Sequence, residues 1–157
     1  MSADSTSASS GIHIVVRNRR ARHEYEVLEK HEAGLVLTGT EVKSLRAGKA
    51  NLQDAFARFE RGELWLHNLH ISPYEQGNRF NHDPLRPRKL LLQRRELRKL
   101  NSQVEQQGLT LVPLDIYFKH GIAKVTIAMV RGKKLHDKRD DLRKRDAERE
   151  MERAYKG

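Results

Sequence analysis

Three runs of basic residues are the part of this 157-residue chain best suited to chemistry, and the chemistry they suit is that of polyanions. Asn18-Arg19-Arg20-Ala21-Arg22-His23 is the first. The second holds Arg86, Arg88, Lys89, Arg94, Arg95, Arg98 and Lys99 against a single acid, Glu96. The third is Arg131-Gly132-Lys133-Lys134, continued by Lys138 and Arg139. A cation set against a phosphate releases counterions, so such runs supply affinity but little sequence reading. Taken singly, each would also suit a plain solvated face. Catalytic constellations do not assemble. A phosphate loop needs Gly, four residues, then Gly-Lys-Ser/Thr, but Gly48-Lys49 is followed by Ala50 and Lys43 stands where the first glycine belongs. His67 and His70 fall on opposite sides of an extended strand, with no third ligand placed beside them. His23-Glu24 lacks the second histidine of a zinc-protease helix, and Asp137, Asp140 and Asp141 are interleaved with cations, which argues against a two-metal nuclease centre. The expectation is a binding protein with no metal, no cofactor and no enzymatic activity.

Elements of modest size must position these cations. From Glu24 to Val36, Tyr25, Val27, Leu28, Leu35 and Val36 suggest two short strands separated by Glu29–Gly34, with the first ordered element starting near His23. Val42 and Leu45, followed by Gly48, predict a short helix over Glu41–Arg46. Residues 55–66 read as a hairpin turning at Arg61-Gly62, and a phase shift between Leu66 and Leu69 reads as a β-bulge. Residues 72–88, with Pro73, Gly77, Pro84 and Pro87, read as a functional loop. Leu97, Leu100 and Val104 make one stripe of a helix over 94–107 that Gly108 stops. A second hairpin follows, turning at Lys119-His120-Gly121. Several short strands with few helices and no βαβ rhythm predict a mainly β fold, a closed antiparallel barrel with flanking helices.

Composition narrows the partner. Lys and Arg number 31 against 21 Asp and Glu, giving a formal net charge of +10 and a pI near 10.1. Such a domain repels itself, and nucleic acid is its natural counter-partner. There are no cysteines, which fits a reducing compartment. The longest apolar run, Ile127 to Val130, is far too short to span a bilayer, and the Ser/Thr/Ala-rich start has no apolar core of a signal peptide. Membrane binding at the surface would want a basic amphipathic helix, and none appears. Most aromatics occupy strand positions that a core can claim. A folded RNA held by shape, backbone and 2′-hydroxyls is therefore expected, rather than a single strand stacked on exposed rings.

Residues 131–157 differ from everything before them. They hold eleven Lys/Arg and seven Asp/Glu but only Leu135, Leu142, Met151 and Tyr155 as sizeable apolar groups. No core-facing stripe emerges. Yet Asp141 with Arg145, Asp146 with Arg149, and Glu150 with Arg153 stand at helical spacing, each pair worth only ~0.2–0.5 kcal/mol. The expectation is a tail disordered when free and helical on an anionic surface. The chain thus divides into a flexible extension (1–17), an RNA-binding barrel (18–130) and a basic tail (131–157).

Six blocks carry a family resemblance: NRRARHEYEV from Asn18, EAGLVLTGTEVKSLRAGKANL from Glu32, ISPYEQGN from Ile71, RPRKLLLQRREL from Arg86, GLTLVPLDIYFKHG from Gly108 and RGKKLHDKR from Arg131. In this order and spacing they resemble small protein B, the SsrA-binding or tmRNA-binding family of bacterial trans-translation. The resemblance implies an OB-fold-like barrel and a cytoplasmic, bacterial adaptor. It implies binding to the tRNA-like domain of tmRNA, and delivery of alanyl-tmRNA to ribosomes stalled on an mRNA without a stop codon. Elongation factor Tu with GTP and the small ribosomal subunit are the implied partners, and nothing like a heptad suggests more than a monomer. Carried onto this chain, the RNA-binding residues are Asn18, Arg20, Arg22 and Glu32, with Leu91 as an apolar contact. Lys43, Arg46, Lys89, Lys133 and Lys134 join them. Gly132, His136, Asp137, Lys138 and Arg139 are the implied contacts with the decoding centre. Asp115 puts an acid where the family pattern is basic or polar, which argues against the outer face of 109–118 as an RNA surface. A ribosome-associated structural protein binding rRNA is the alternative; a nuclease is more distant.

Overall fold

A computed structural model describes residues 11–74 and 81–132. The chain runs β1 (Ile12–Arg17), α1 (Arg19–Glu24), β2 (Tyr25–Leu35), α2 (Gly39–Arg46), β3 (Ala50–Asn51), β4 (Phe56–Glu60), β5 (Glu63–His67), β6 (His70–Ile71), β7 (Arg88–Leu91), α3 (Arg94–Gln107), β8 (Thr110–Lys119) and β9 (Ile122–Gly132). The fold is mainly β. Its larger sheet has the order β1-β8-β4-β5-β7-β2-β9, and an added β8–β9 pairing joins its two sides, so six antiparallel strands follow one another in a ring with β1 attached to β8. One side of the ring is filled by Leu64, Leu66, Leu90, Leu111, Ile116, Val125 and Ile127, all essentially inaccessible. Among the described residues no helix is long and apolar enough to cross a membrane.

Local chemistry accounts for most boundaries. Both hairpin turns hold two successive left-handed residues, Arg61 and Gly62 (φ 52° and 78°) and His120 and Gly121 (φ 51° and 81°), as the twist of paired strands favours. Thr38 caps α2 through the Glu41 N–H while the Glu41 carboxylate takes the Thr38 N–H, a reciprocal capping box. Gly108, left-handed at φ 61°, ends α3 as its spacing predicts. Leu100 on α3 is fully buried, with Leu97 and Val104 packed beside it.

Four sequence expectations need correction. Order begins before His23: Ile12–Arg17, placed in the flexible extension, pairs with β8, and Arg19–Glu24 is a helix. Tyr25–Leu35 is one strand, because Glu26, Lys30 and Glu32 project from its solvated face and break no hydrogen bond. The phase shift after Leu66 is a break at left-handed Asn68 that passes the chain to a second, two-stranded sheet of β3 and β6. Arg88, grouped with the solvated cations and the loop, starts β7 and is fully buried. Its Nε donates to Glu41 and its Nη1 to the Leu69 carbonyl, both at 2.5 Å.

Candidate nucleic-acid interface

Strand register builds one surface. Successive side chains alternate between faces, so with Ala33, Val125, Ile116 and Phe118 turned to the core, their neighbours share the outer side. Across it, Glu32 stands opposite Thr126, Thr126 opposite Asp115, and Asp115 opposite Arg17. The next row runs from Leu91 through Gly34 and Lys124 to Tyr117. Tyr117 donates its hydroxyl to the Glu32 carboxylate, and Lys119 Nζ lies 3.5 Å from the same group. Thr126 donates to Asp115 at 2.6 Å. The Tyr117 hydrogen bond, joined by the Lys119 charge, holds the Glu32 carboxyl below its ordinary value against the opposing effect of burial. Burial, then the Glu32 hydrogen bond, pushes the Tyr117 phenol well up. At neutral pH the pair is a phenol held by a carboxylate.

Beside this pair a depression is lined by Glu32, Gly34, Leu91, Leu92, Gln93, Glu96 and Lys124, two acids with one lysine. Leu91 is 52% exposed, an unusual position for a leucine. Gly34 forms the floor: a Cβ there would stand 3.3 Å from Leu91 Cβ, so any side chain would crowd the leucine. An ionised acceptor, a cation and an apolar surface thus meet in one shallow site. A carboxylate accepts from a guanine edge or a 2′-hydroxyl, and the lysine suits a phosphate.

The SmpB protein family model matches residues 15–157. An SsrA-binding protein of Desulforudis audaxviator is 64% identical over 143 residues, covering 91% of this chain and 94% of that protein. One from Desulfitobacterium hafniense is 60% identical over 149 residues, covering 95% and 96%. The chain belongs to the SmpB protein family. A solved structure described as "tmRNA-SmpB: a journey to the center of the bacterial ribosome" is 62% identical, with a TM-score of 0.64, over 75% of this chain and 83% of that one.

Among the family residues expected at the RNA, Glu32 and Leu91 come together in the depression. The others are distributed elsewhere. Asn18 is only 2% exposed, and its side chain is spent inside the protein. A β-bulge at Leu114 frees two carbonyls of β8; Asn18 takes Pro113 O with Nδ2 (2.9 Å) and Leu114 O with its backbone N–H (2.7 Å). Its Nδ2 also reaches Leu52 O, while Oδ1 caps α1 by accepting from the Ala21 N–H. Asn18 therefore anchors α1, which carries exposed Arg22 and Arg20, the latter paired with Glu24 at 3.0 Å and Asp54 at 3.1 Å. Exposed Lys43 and Arg46 lie on α2 over the Tyr74 and Phe118 rings. Lys89 neighbours Leu91 on β7 and pairs with Glu63 at 3.0 Å. Gly132 ends β9 opposite Tyr25. Lys133, Lys134, His136, Asp137, Lys138 and Arg139 lie outside the described residues.

Sequence reasoning missed Tyr117, Lys119, Lys124 and Gly34. The outer face of β8, set aside on account of Asp115, supplies two of them to Glu32. The available signal was alternation: Lys124 is the polar position between Ala123 and Val125 on a strand whose inward residues were already assigned. His67, considered as a ligand, stacks on Phe56 and lies 2.9 Å from Glu60. Among the described residues no group of three or more His, Asp or Glu is placed to hold a metal.

Proposed function

We propose that this chain is a tmRNA-binding adaptor of trans-translation: it binds the tRNA-like domain of tmRNA and brings it to stalled ribosomes. Family membership over residues 15–157 supports the role. The observation that carries it to particular residues is the depression in which Glu32, Leu91 and Lys124 meet. On this reading Glu32 accepts from a base edge or 2′-hydroxyl, Leu91 packs on the same nucleotide, and Lys124 neutralises its phosphate. The arginines Arg20 and Arg22, with Lys43, Arg46 and Lys89, add salt-dependent affinity.

The body carrying these contacts is an OB-like barrel running from Ile12 to Gly132, since β1 completes the outer face of β8. The segment from Lys133 is the part that engages the small ribosomal subunit. Alanyl-tmRNA arrives with elongation factor Tu and GTP, and the protein works as a cytoplasmic monomer by binding alone. The described aromatic side chains supply no exposed large ring, which favours a folded RNA over a single strand.

Filter binding at one fixed salt concentration tests this. A tRNA-like RNA should bind more tightly than an rRNA helix fragment or an unstructured strand of equal length. Equal affinity for all three would overturn the reading.

A further inference from the structure

Immediately beyond the Leu91 depression, α3 begins, and a second depression opens on its other side. It is lined by Arg61, Gly62 and Glu63 of the β4–β5 hairpin and by Arg94, Leu97 and Arg98 of α3. Among the described residues Arg61, Arg94, Arg95 and Arg98 have no hydrogen-bond, ion-pair or ring partner. The lining's one acid, Glu63, is occupied by Lys89 at 3.0 Å. Local structure relieves little of this charge. Arg94 and Arg95 occupy the first turn of α3, where the helix dipole disfavours cations; Glu96 is the acid of that turn, and the preceding Gln93 makes no side-chain cap. Arg61 sits at φ 52°, a backbone region that favours Gly and Asn. Two elements far apart in sequence therefore bring three unpaired guanidinium groups to one hollow.

The two depressions are adjacent along the chain. Leu92 and Gln93 line the first, Arg94 follows directly into the second, and Lys89 stands between Leu91 on its own strand and Glu63 across the pair. Guanidinium groups present paired donors that match phosphate oxygens. We propose that Arg61, Arg94 and Arg98 form a phosphate-binding extension of the interface. The backbone of the RNA seated at Glu32 and Leu91 continues across the start of α3 into this hollow. The inference rests on the function proposed above.

The test compares the full chain with the triple variant Arg61→Asn, Arg94→Gln, Arg98→Gln, asparagine being chosen because it tolerates the left-handed turn. Affinity for a tRNA-like RNA is measured from 50 to 300 mM salt, with thermal unfolding as the control for folding. The plot of log affinity against log salt should become shallower by about 2, with roughly tenfold or greater weakening at low salt, because each phosphate contact contributes about 0.7–0.9 to the slope. Glu32→Gln should weaken binding without flattening the plot. A triple variant with wild-type slope and affinity overturns the extension. Should the triple variant fail to fold, Arg98→Glu alone, on an exposed helix position, must still weaken binding and flatten the slope, and its failure to do so overturns the proposal equally. Lack of preference for the tRNA-like RNA by the wild type would instead overturn the function and leave the slope comparison to stand on its own.

Discussion

Glu32 is the residue at which specificity and simple electrostatics give opposite predictions. In a chain of net charge +10, removing an acid should strengthen non-specific RNA binding. On the proposed function, a carboxylate already oriented by Tyr117 and Lys119 accepts instead from one donor of the RNA. Glu32→Gln should therefore weaken binding to the tRNA-like RNA by about 1–3 kcal/mol, measured by titration at fixed salt. Wild-type affinity in that variant would remove Glu32 from the interface. The sequence pointed to Glu32 and Leu91 through the family pattern, but not to what orients them. Tyr117 lies 85 positions from Glu32, and only the β2–β9–β8 register brings them together. Asn18 shows the same limit. The family pattern implied an RNA contact there too, and nothing in the sequence signalled that the side chain is 2% exposed and donates to the Pro113 and Leu52 carbonyls.

Elements with a strong period were legible, and those held by remote charge were not. The helix over 94–107 and both hairpins follow from residues adjacent in sequence. In contrast β1, with its partner strand a hundred residues away, and buried Arg88 do not. A buried arginine cannot be told from a solvated one when both sit in a basic run. Burial is possible here because Glu41 on α2 is itself buried and meets Arg88 and Arg86, tying the helix to the segment before β7. Glu41→Gln would leave Arg88 buried without a carboxylate, at a cost on the order of 3–5 kcal/mol in urea unfolding. Burial pushes the Glu41 carboxyl up, but the Arg86 hydrogen bond, the Thr38 N–H and the Arg88 charge outweigh it, so it titrates below its ordinary value. The sign follows: its contribution is fully present above the usual glutamate value of 4.5 and is lost as pH falls through the depressed one. Glu41→Gln should flatten the loss of stability in that acid range; an unchanged acid limb would show that the tie contributes nothing.

At the scale of the molecule, the function proposed above assigns binding the RNA and using it on the ribosome to different parts of the chain. The depression, the arginine hollow and both core clusters lie within residues 12–132. From Lys133 to Gly157 the sequence has charge pairs at helical spacing but no apolar stripe with which to join a core. A chain ending at Gly132 should therefore unfold at nearly the wild-type temperature and bind the tRNA-like RNA with nearly wild-type affinity. The most direct test of the whole account is peptide tagging on stalled ribosomes in a reconstituted translation system, with alanyl-tmRNA and elongation factor Tu present. The full chain should support tagging, and the chain ending at Gly132 should bind the RNA yet give none. Tagging by the shortened chain at the full-length rate, or no tagging by the full chain, would contradict it.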